Sequence, residues 1–292
     1  MQLVSIIIPY YKNYKEIGRA LNSALGQNIS EFEIIIINDA SPDWEEGLAI
    51  INSYEDSRIK VISHEHNKNG AAARNTGIKR ANGDFIAFLD ADDEWASDHL
   101  STSLEFLTCN DWDLVFSKCL FYGKTGSRIM PEKGIDDNQT LSDYLFVEGG
   151  VIATPSIVVK AKLAKQILFN ESLRRHQDYD FLLKSEAVGI IIGFKPKQSV
   201  IVHWENNNIR EKGGTWDFSL MFASQYKKYF SVKAYSLFVF KFVILASLEE
   251  KERLRGVRQF FTLINPFHLS ALNYYFFISY LIFGKFKHPY RK

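Results

Sequence analysis

Cysteine is scarce. The two in 292 residues, Cys109 and Cys119, cannot form a disulfide framework, and their spacing fits neither a metal cluster nor a CxxC redox pair, so a reduced pair of core or strand residues is expected. Excess charge of one sign is also missing: 35 Lys and Arg face 34 Asp and Glu, a formal net charge of +1. A general polyanion-binding surface, and with it nucleic acid as a partner, is therefore not expected. The opening Met1-Gln2-Leu3-Val4-Ser5 has no basic n-region and no small-residue cleavage site, so work in the cytosol is the expectation. No G-x-x-x-x-G-K-S/T phosphate loop occurs, and Gly70 and Gly77 stand too far apart for a dinucleotide fingerprint. Internal repeats and low-complexity tracts are absent as well.

What is present is an alternation of short apolar runs and helical patterns. Val4-Ser5-Ile6-Ile7-Ile8, halted by Pro9, reads as a strand buried on both faces. Apolar residues at Ile17, Ala20, Leu21, Ala24 and Leu25 form one helix face, with Gly26 at its end. A second buried strand, Glu33 to Ile37, stops at the turn formers Asn38 to Asp43, which completes a βαβ unit. A helical pattern through Leu48, Ile51 and Tyr54, a strand at Ile59 to Ile62, and a small-residue helix beginning near Gly70 continue the series. Arg74, near the start of that helix, is placed to meet an anion.

The fourth strand, Phe85 to Leu89, empties into Asp90, Asp92 and Asp93. Ligands gather outside the carboxyl ends of strands in open α/β sheets, and acids there can share a hard cation with phosphate oxygens. Aspartates are also common turn residues, and both readings stand at this point. Further along, a helix over 99–107, a strand at Asp113 to Phe116 and a hairpin or loop over 123–140, in the place of a substrate-covering flap, are expected. Asp178 and Asp180 open another helical pattern, where a carboxylate serves either as an N-cap or in chemistry. The strand at Ser199 to Val202 ends in His203, a ligand or a capped polar side chain.

The last quarter differs in character. Residues 235–248 hold 11 apolar members in 14 and residues 267–283 hold 13 in 17, both shorter than the roughly 20 apolar residues a span requires. With Lys285, Lys287, Arg291 and Lys292 behind them, helices lying in the membrane interface are the favoured reading. Packing on the catalytic domain or on a second copy in a homo-oligomer, and a true span, are the alternatives. Domains at 1–215 and 216–292 follow.

Four motifs in order resemble glycosyltransferase family 2 with a GT-A fold: Ser5-Ile-Ile-Ile-Pro-Tyr-Tyr-Lys-Asn13, Ile34-Ile-Ile-Ile-Asn-Asp-Ala-Ser41, Gly70-Ala-Ala-Ala-Arg-Asn-Thr-Gly77 and the DxD-like Phe88-Leu-Asp-Ala-Asp-Asp93. The resemblance implies an α/β, mostly parallel sheet flanked by helices, with a C-terminal helical appendage that associates with membranes. It also implies an inverting, metal-dependent transfer from a nucleotide sugar, with UDP expected, to a glycan or lipid-linked acceptor in surface-polysaccharide assembly at the cytoplasmic face of the inner membrane. Carried over residue by residue, Pro9 and Tyr11 contact the base, Asp39 its imide edge, and Arg74 lies beside base and ribose. Asp90 holds the ribose or a metal-bound water, Asp92 binds Mn²⁺ or Mg²⁺, and His203 lies near the diphosphate as a further metal ligand. Asp178 becomes the catalytic base. Gln177 departs from the Glu-Asp pair common in the family, and Val202-His-Trp-Glu205 replaces a Tyr-Arg-x-His pattern. A nucleotidyltransferase would need a glycine-rich loop where Pro9-Tyr10-Tyr11-Lys12 stands, and the acids retained at Asp39, Asp90, Asp92 and Asp178 count against a non-catalytic sugar-nucleotide-binding or scaffold subunit, the other alternative.

Overall fold

The computed structural model describes residues 2–123, 126–204, 215–250 and 252–283. Two units emerge: Met1–Ile135 with Val151–Asn206, and Asp136–Gly150 with Asn207–Lys292.

The first unit is built on a nine-stranded sheet. Its strands are β1 (Val4–Tyr10), β2 (Phe32–Asn38), β3 (Ile59–Ser63), β4 (Phe85–Phe88), β5 (Glu94–Trp95), β6 (Leu114–Gly123), β7 (Gly126–Met130), β8 (Val158–Lys160) and β9 (Ile192–His203). The order is β3-β2-β1-β4-β8-β6-β9-β5, with β7 paired to β6. The β3-β2-β1-β4 wall is parallel throughout. Beyond it the sheet is mixed, because β8 runs antiparallel to both β4 and β6 while β6 and β9 are parallel. Two reversals cancel, so β9 ends at the same sheet edge as β1, β2 and β4. That edge therefore collects Pro9 to Tyr11, Asp39, Asp90 to Asp93 and His203.

Helices α1 (Ile17–Leu25), α2 (Trp44–Asn52), α3 (Gly70–Arg80), α4 (His99–Cys109), α6 (Ala161–Ile167) and α7 (Gln177–Ala187) belong to this unit, and α5 (Leu141–Phe146) to the other. All seven residues of β2 are buried, as the unbroken isoleucine run requires when both faces of a sheet are covered. The edge strand β3 is only partly covered. In α1, buried Ile17, Ala20, Leu21 and Ala24 form the expected stripe. Helix α3 approaches the sheet closely through small residues: a Cβ on Gly77 would stand 2.5 Å from Ile7 Cγ2 and 2.9 Å from Ile37 Cδ1. This contact fixes where Arg74, on the same helix, is presented. Cys119 is buried on β6, but Cys109 closes α4 in solvent, so only one of the cysteines is a core residue.

The second unit holds α5, α8 (Trp216–Tyr226), α9 (Val232–Val239), a π-helical turn at Phe240–Ile244, α10 (Leu245–Glu249), α11 (Arg253–Leu263) and α12 (Ala271–Phe283). Residues 136–150 join it, a departure from the expected boundary at 215. The reason is aromatic packing: Phe146 stacks on Phe230 at 5.1 Å and meets Phe238 edge-on at 5.1 Å. Ser231 both caps α9 through Ala234 N, at 3.0 Å, and donates to Asp143 Oδ1 at 2.5 Å. Phe260 of α11 stacks on Phe277 of α12 at 4.1 Å. Among the described residues, no helix is long and apolar enough to cross a membrane. The basic cluster from Lys285 onward lies outside the described residues.

Candidate active site

The site grows from strand ends. Where β1 stops, side-chain alternation turns Tyr10 inward, fully buried with its hydroxyl on Asp43 Oδ1 at 3.1 Å, and leaves Tyr11 41% exposed at the sheet edge. Pro9 is half-buried. The left-handed backbone at Lys12 (φ 59°) turns the chain, and Lys12 N donates to Ser41 Oγ at 2.7 Å, tying the β1 and β2 ends together.

Asp39 follows β2 and is only 2% exposed. Its carboxylate accepts from Lys68 N (2.9 Å) and Asn69 N (2.8 Å), and it pairs with His64 Nδ1 at 2.7 Å. His64, which the sequence pattern did not single out, also contacts Thr76 Oγ1 at 2.8 Å through Nε2. Asp39 thus organises the loop that leads into α3. Asn69, at φ 87°, caps that helix by accepting from Ala71 N at 2.8 Å and Ala72 N at 3.3 Å.

Arg74 occupies the middle of the site. Its Nη2 donates to Asp90 Oδ1 at 2.5 Å, and its Nη1 donates to Gln177 Oε1 at 3.3 Å. Its Nε is buried with no hydrogen-bond partner among the described residues. Asp92 remains half-buried, and its backbone carbonyl accepts from Arg19 of α1. Asp93 is a different case from its neighbours. It is 3% exposed, accepts from His203 N at 2.9 Å, and has a carboxyl pushed well above the usual range by burial and by the adjacent Asp90 and Asp92. Its role is to tie the end of β9 to the acidic loop. His203 turns its ring to Glu94, with Nε2 to Oε1 at 2.8 Å, while only its backbone N–H reaches the DxD-like run, at Asp93. Glu94 was not among the expected site residues.

Gln177 and Asp178 open α7, preceded by His176 in a left-handed conformation (φ 61°). His176 occupies the N-cap position without a side-chain cap bond, so Asp178 lies in the first turn and the N-cap alternative is set aside. Asp178 keeps part of its surface accessible. Burial raises its carboxyl pKa, while the positive charges of Arg74 and Arg175 oppose the rise. Arg74 therefore acts on Asp90 by a direct bond and on Asp178 through its field, which brings residues far apart in the chain around one guanidinium. Asp180, the other acid of this turn, is fully buried and accepts from Asn170 N (2.6 Å) and Lys184 Nζ (2.9 Å), a packing role.

Among the described residues, no three acidic, histidine or cysteine side chains converge as a ready-made metal cage. The donor set still suits a hard cation, since Mg²⁺-type sites use one or two carboxylates and complete their shell with substrate phosphates and water. Burial first, and then the neighbouring charges of Asp90 and Asp92, raise the Asp93 carboxyl, and it is this like-charge part that a divalent ion would relieve. An open cleft of about 550 Å³ at the other end of the parallel strands is lined by Lys60, Lys79, Arg80 and Lys165 and contains none of these acids.

Comparison with known proteins bears on this arrangement. The sequence model described as "Glycosyl transferase family 2" matches residues 5–168. The amylovoran biosynthesis glycosyltransferase AmsB of Erwinia amylovora is 33% identical over 193 residues, 63% of this chain and 64% of that protein. The UDP-Glc:alpha-D-GlcNAc-diphosphoundecaprenol beta-1,3-glucosyltransferase WfaP of Escherichia coli is 43% identical over 109 residues, 37% of this chain and 42% of that protein. The match thus spans less than two thirds of the length of both relatives. Residues 1–349 of S. aureus TarS in complex with UDP-GlcNAc superpose with a TM-score of 0.70 at 19% identity, covering 96% of this chain and 89% of that one, a likeness of fold.

Proposed function

The chain belongs to glycosyl transferase family 2, and on that premise we propose that it transfers a sugar with inversion from a UDP-sugar to a hydroxyl of a lipid-linked glycan during surface-polysaccharide assembly. The GT-A-like sheet supplies the frame. The observation that carries the reading is the Arg74 guanidinium, bonded to Asp90 on one side and to Gln177, next to Asp178, on the other.

In this reading Pro9, Tyr11 and Asp39 receive the base, and Arg74 stands beside base and ribose. Asp39 is held rigid by three partners, so the edge it offers to a base is set before the donor arrives. Asp92, with Asp90 and His203 as further candidate ligands, would hold Mn²⁺ or Mg²⁺, which when bound would neutralise charge on the departing diphosphate. Asp178 takes the acceptor hydroxyl proton. Its raised carboxyl brings its basicity closer to neutral pH, as a general base requires. UDP as the nucleotide is supported by the name of WfaP and by the UDP-GlcNAc complex of TarS. A lipid diphosphate acceptor is supported by the substrate in WfaP's name.

The second unit is proposed to rest on the membrane surface at its cytoplasmic face. Phe267 is 93% exposed and Leu254 90%, and α12 leaves Leu272, Tyr275, Ile278 and Ile282 to solvent along one helix face. Aromatic and aliphatic side chains beside Arg253, Arg255 and Arg258 suit an interface with anionic headgroups.

The test is Asp178→Asn beside Asp92→Asn, with UDP release from a panel of UDP-sugars and titration of UDP with Mn²⁺. Asp178→Asn is expected to lower kcat by about 10² to 10⁴ while UDP binding stays near wild type; Asp92→Asn loses Mn²⁺-dependent UDP affinity as well. Wild-type turnover by Asp178→Asn would overturn the assignment.

A further inference from the structure

Gln177 stands where the family resemblance leads one to expect glutamate, and its surroundings show what an amide does there. Nε2 donates to Leu173 O at 2.7 Å and to Asn69 Oδ1 at 3.3 Å, while Oε1 accepts from Arg74 Nη1 at 3.3 Å. Two acceptors on one side and a cationic donor on the other require a group with both a donor and an acceptor end. A carboxylate would lose both donated bonds and face two oxygens. It would also compete with Asp90 for the Arg74 charge, since Arg74 Nη2 already donates to Asp90 at 2.5 Å. The contact lies over Gly70, where a Cβ would stand 3.1 Å from Arg74 Nη1 and 3.4 Å from Gln177 Oε1. The same network reaches the far side of the site, because Asn69, which accepts from Gln177, donates its backbone N–H to Asp39 at 2.8 Å.

We propose that Gln177 is a positioning residue that couples the nucleotide site to the helix bearing Asp178, and that its neutral amide leaves the Arg74 charge to Asp90. The inference rests on the glycosyltransferase reading above. Gln177 acts through Arg74 and Asn69. It aims the guanidinium from one side and anchors the first turn of α7 from the other, so its loss affects nucleotide affinity and turnover together.

A double-mutant cycle tests this. Dissociation constants for UDP, GDP, ADP and dTDP are measured calorimetrically on wild type, Gln177→Ala, Gln177→Glu, Arg74→Ala and the two double variants, with kcat for each enzyme and thermal melts to confirm folding. Loss of a long bond to a charged donor predicts nucleotide binding about 5- to 10-fold weaker in Gln177→Ala, with a parallel fall in kcat. The near-isosteric Gln177→Glu is expected to weaken binding by at least as much, by drawing Arg74 off Asp90. In the Arg74→Ala background both changes should cost markedly less affinity than in wild type, because the route through Arg74 is cut and only the one through Asn69 remains. Additive effects, or wild-type affinity in both single variants, would overturn the coupling while leaving the donor-site reading intact. If wild type binds none of the four nucleotides, the donor-site reading fails and takes this inference with it.

Discussion

Replacing Glu33 by Gln removes a buried charge that holds four segments of the first unit together. Glu33 lies at the start of β2, is 5% exposed, and accepts from Ser5 Oγ (2.6 Å), Lys60 Nζ (2.7 Å), Asn82 N (2.7 Å) and Asn82 Nδ2 (3.1 Å). Burial alone would raise its pKa. The bonds from Lys60, Ser5 and Asn82 outweigh it and bring the value from the ordinary 4.5 to about 2. At about 1.4 kcal/mol per pH unit, this corresponds to roughly 3 kcal/mol of folding stability. Lys60 is half exposed, so its share is reduced by solvent screening, and the buried bond to Ser5 with the part-buried bonds to Asn82 carries most of the effect.

The folded-state pKa lies below that of the unfolded chain. The contribution is therefore fully present above about pH 4.5 and lost as pH falls towards 2. The amide of the Glu33→Gln variant keeps one oxygen for two of the four donors but sets its own N–H groups against the other two, so a loss of about 2 to 4 kcal/mol at pH 7 is expected. Urea unfolding of both proteins at intervals from pH 7 to pH 3 is the assay. The difference between them should be largest near neutral pH and shrink in acid, where protonated Glu33 resembles the amide. A loss below about 1 kcal/mol at pH 7, or a difference that does not change with pH, would refute the reasoning.

Two further outcomes are expected, besides those of the Asp178 and Gln177 variants. Lys195 is fully buried, and burial lowers its pKa to about 7 although Nζ donates to His99 O, Thr102 Oγ1 and Ser103 Oγ. For this lysine the unfolded chain holds the proton more tightly, so its penalty is greatest below about pH 7 and is relieved as pH rises towards 10.5. Lys195→Met should accordingly be neutral or stabilising at pH 6 and lose that advantage by pH 9.5, since both hydroxyls retain bonds to Asp98 O and His99 O; chemical denaturation at the two pH values decides. For the proposed membrane surface, Phe261→Ser with Phe267→Ser, at positions 71% and 93% exposed, should leave the melting temperature within a degree or two and reduce cosedimentation with phosphatidylglycerol vesicles about tenfold or more. Unchanged cosedimentation would count against that surface.

Several elements are legible in the local pattern of residues alone. Continuous isoleucine runs at Ile6 to Ile8 and Ile34 to Ile37 announce buried strands, and turn formers mark where they stop, so Tyr11, Asp39 and Asp90 to Asp93 can be assigned to strand ends. Less is legible where an element depends on distant partners. The mixed half of the sheet turns on β8, three residues between two antiparallel neighbours, too short to leave a pattern of its own. Residues 136–150 carry no signal that α5 belongs with the C-terminal unit, since that follows from Phe146 meeting Phe230 and Phe238.

Local chemistry along the chain was enough to set the strand-end acids and the helical pattern that carries Asp178, because periodicity and turn preference are properties of neighbours in sequence, while the family was reached through the resemblance of four motifs. Which partner each of these side chains takes was decided only by tertiary structure. Asp93 became a buried anchor for His203, His203 turned to Glu94, and His64 joined Asp39, each through a partner on another strand or loop. Above all, Arg74 meets Gln177 across 103 positions. Hydrogen bonds and fields act over a few ångströms of space whatever the separation along the chain, so only the folded sheet could bring Asp90 and Asp178 around the same positive charge.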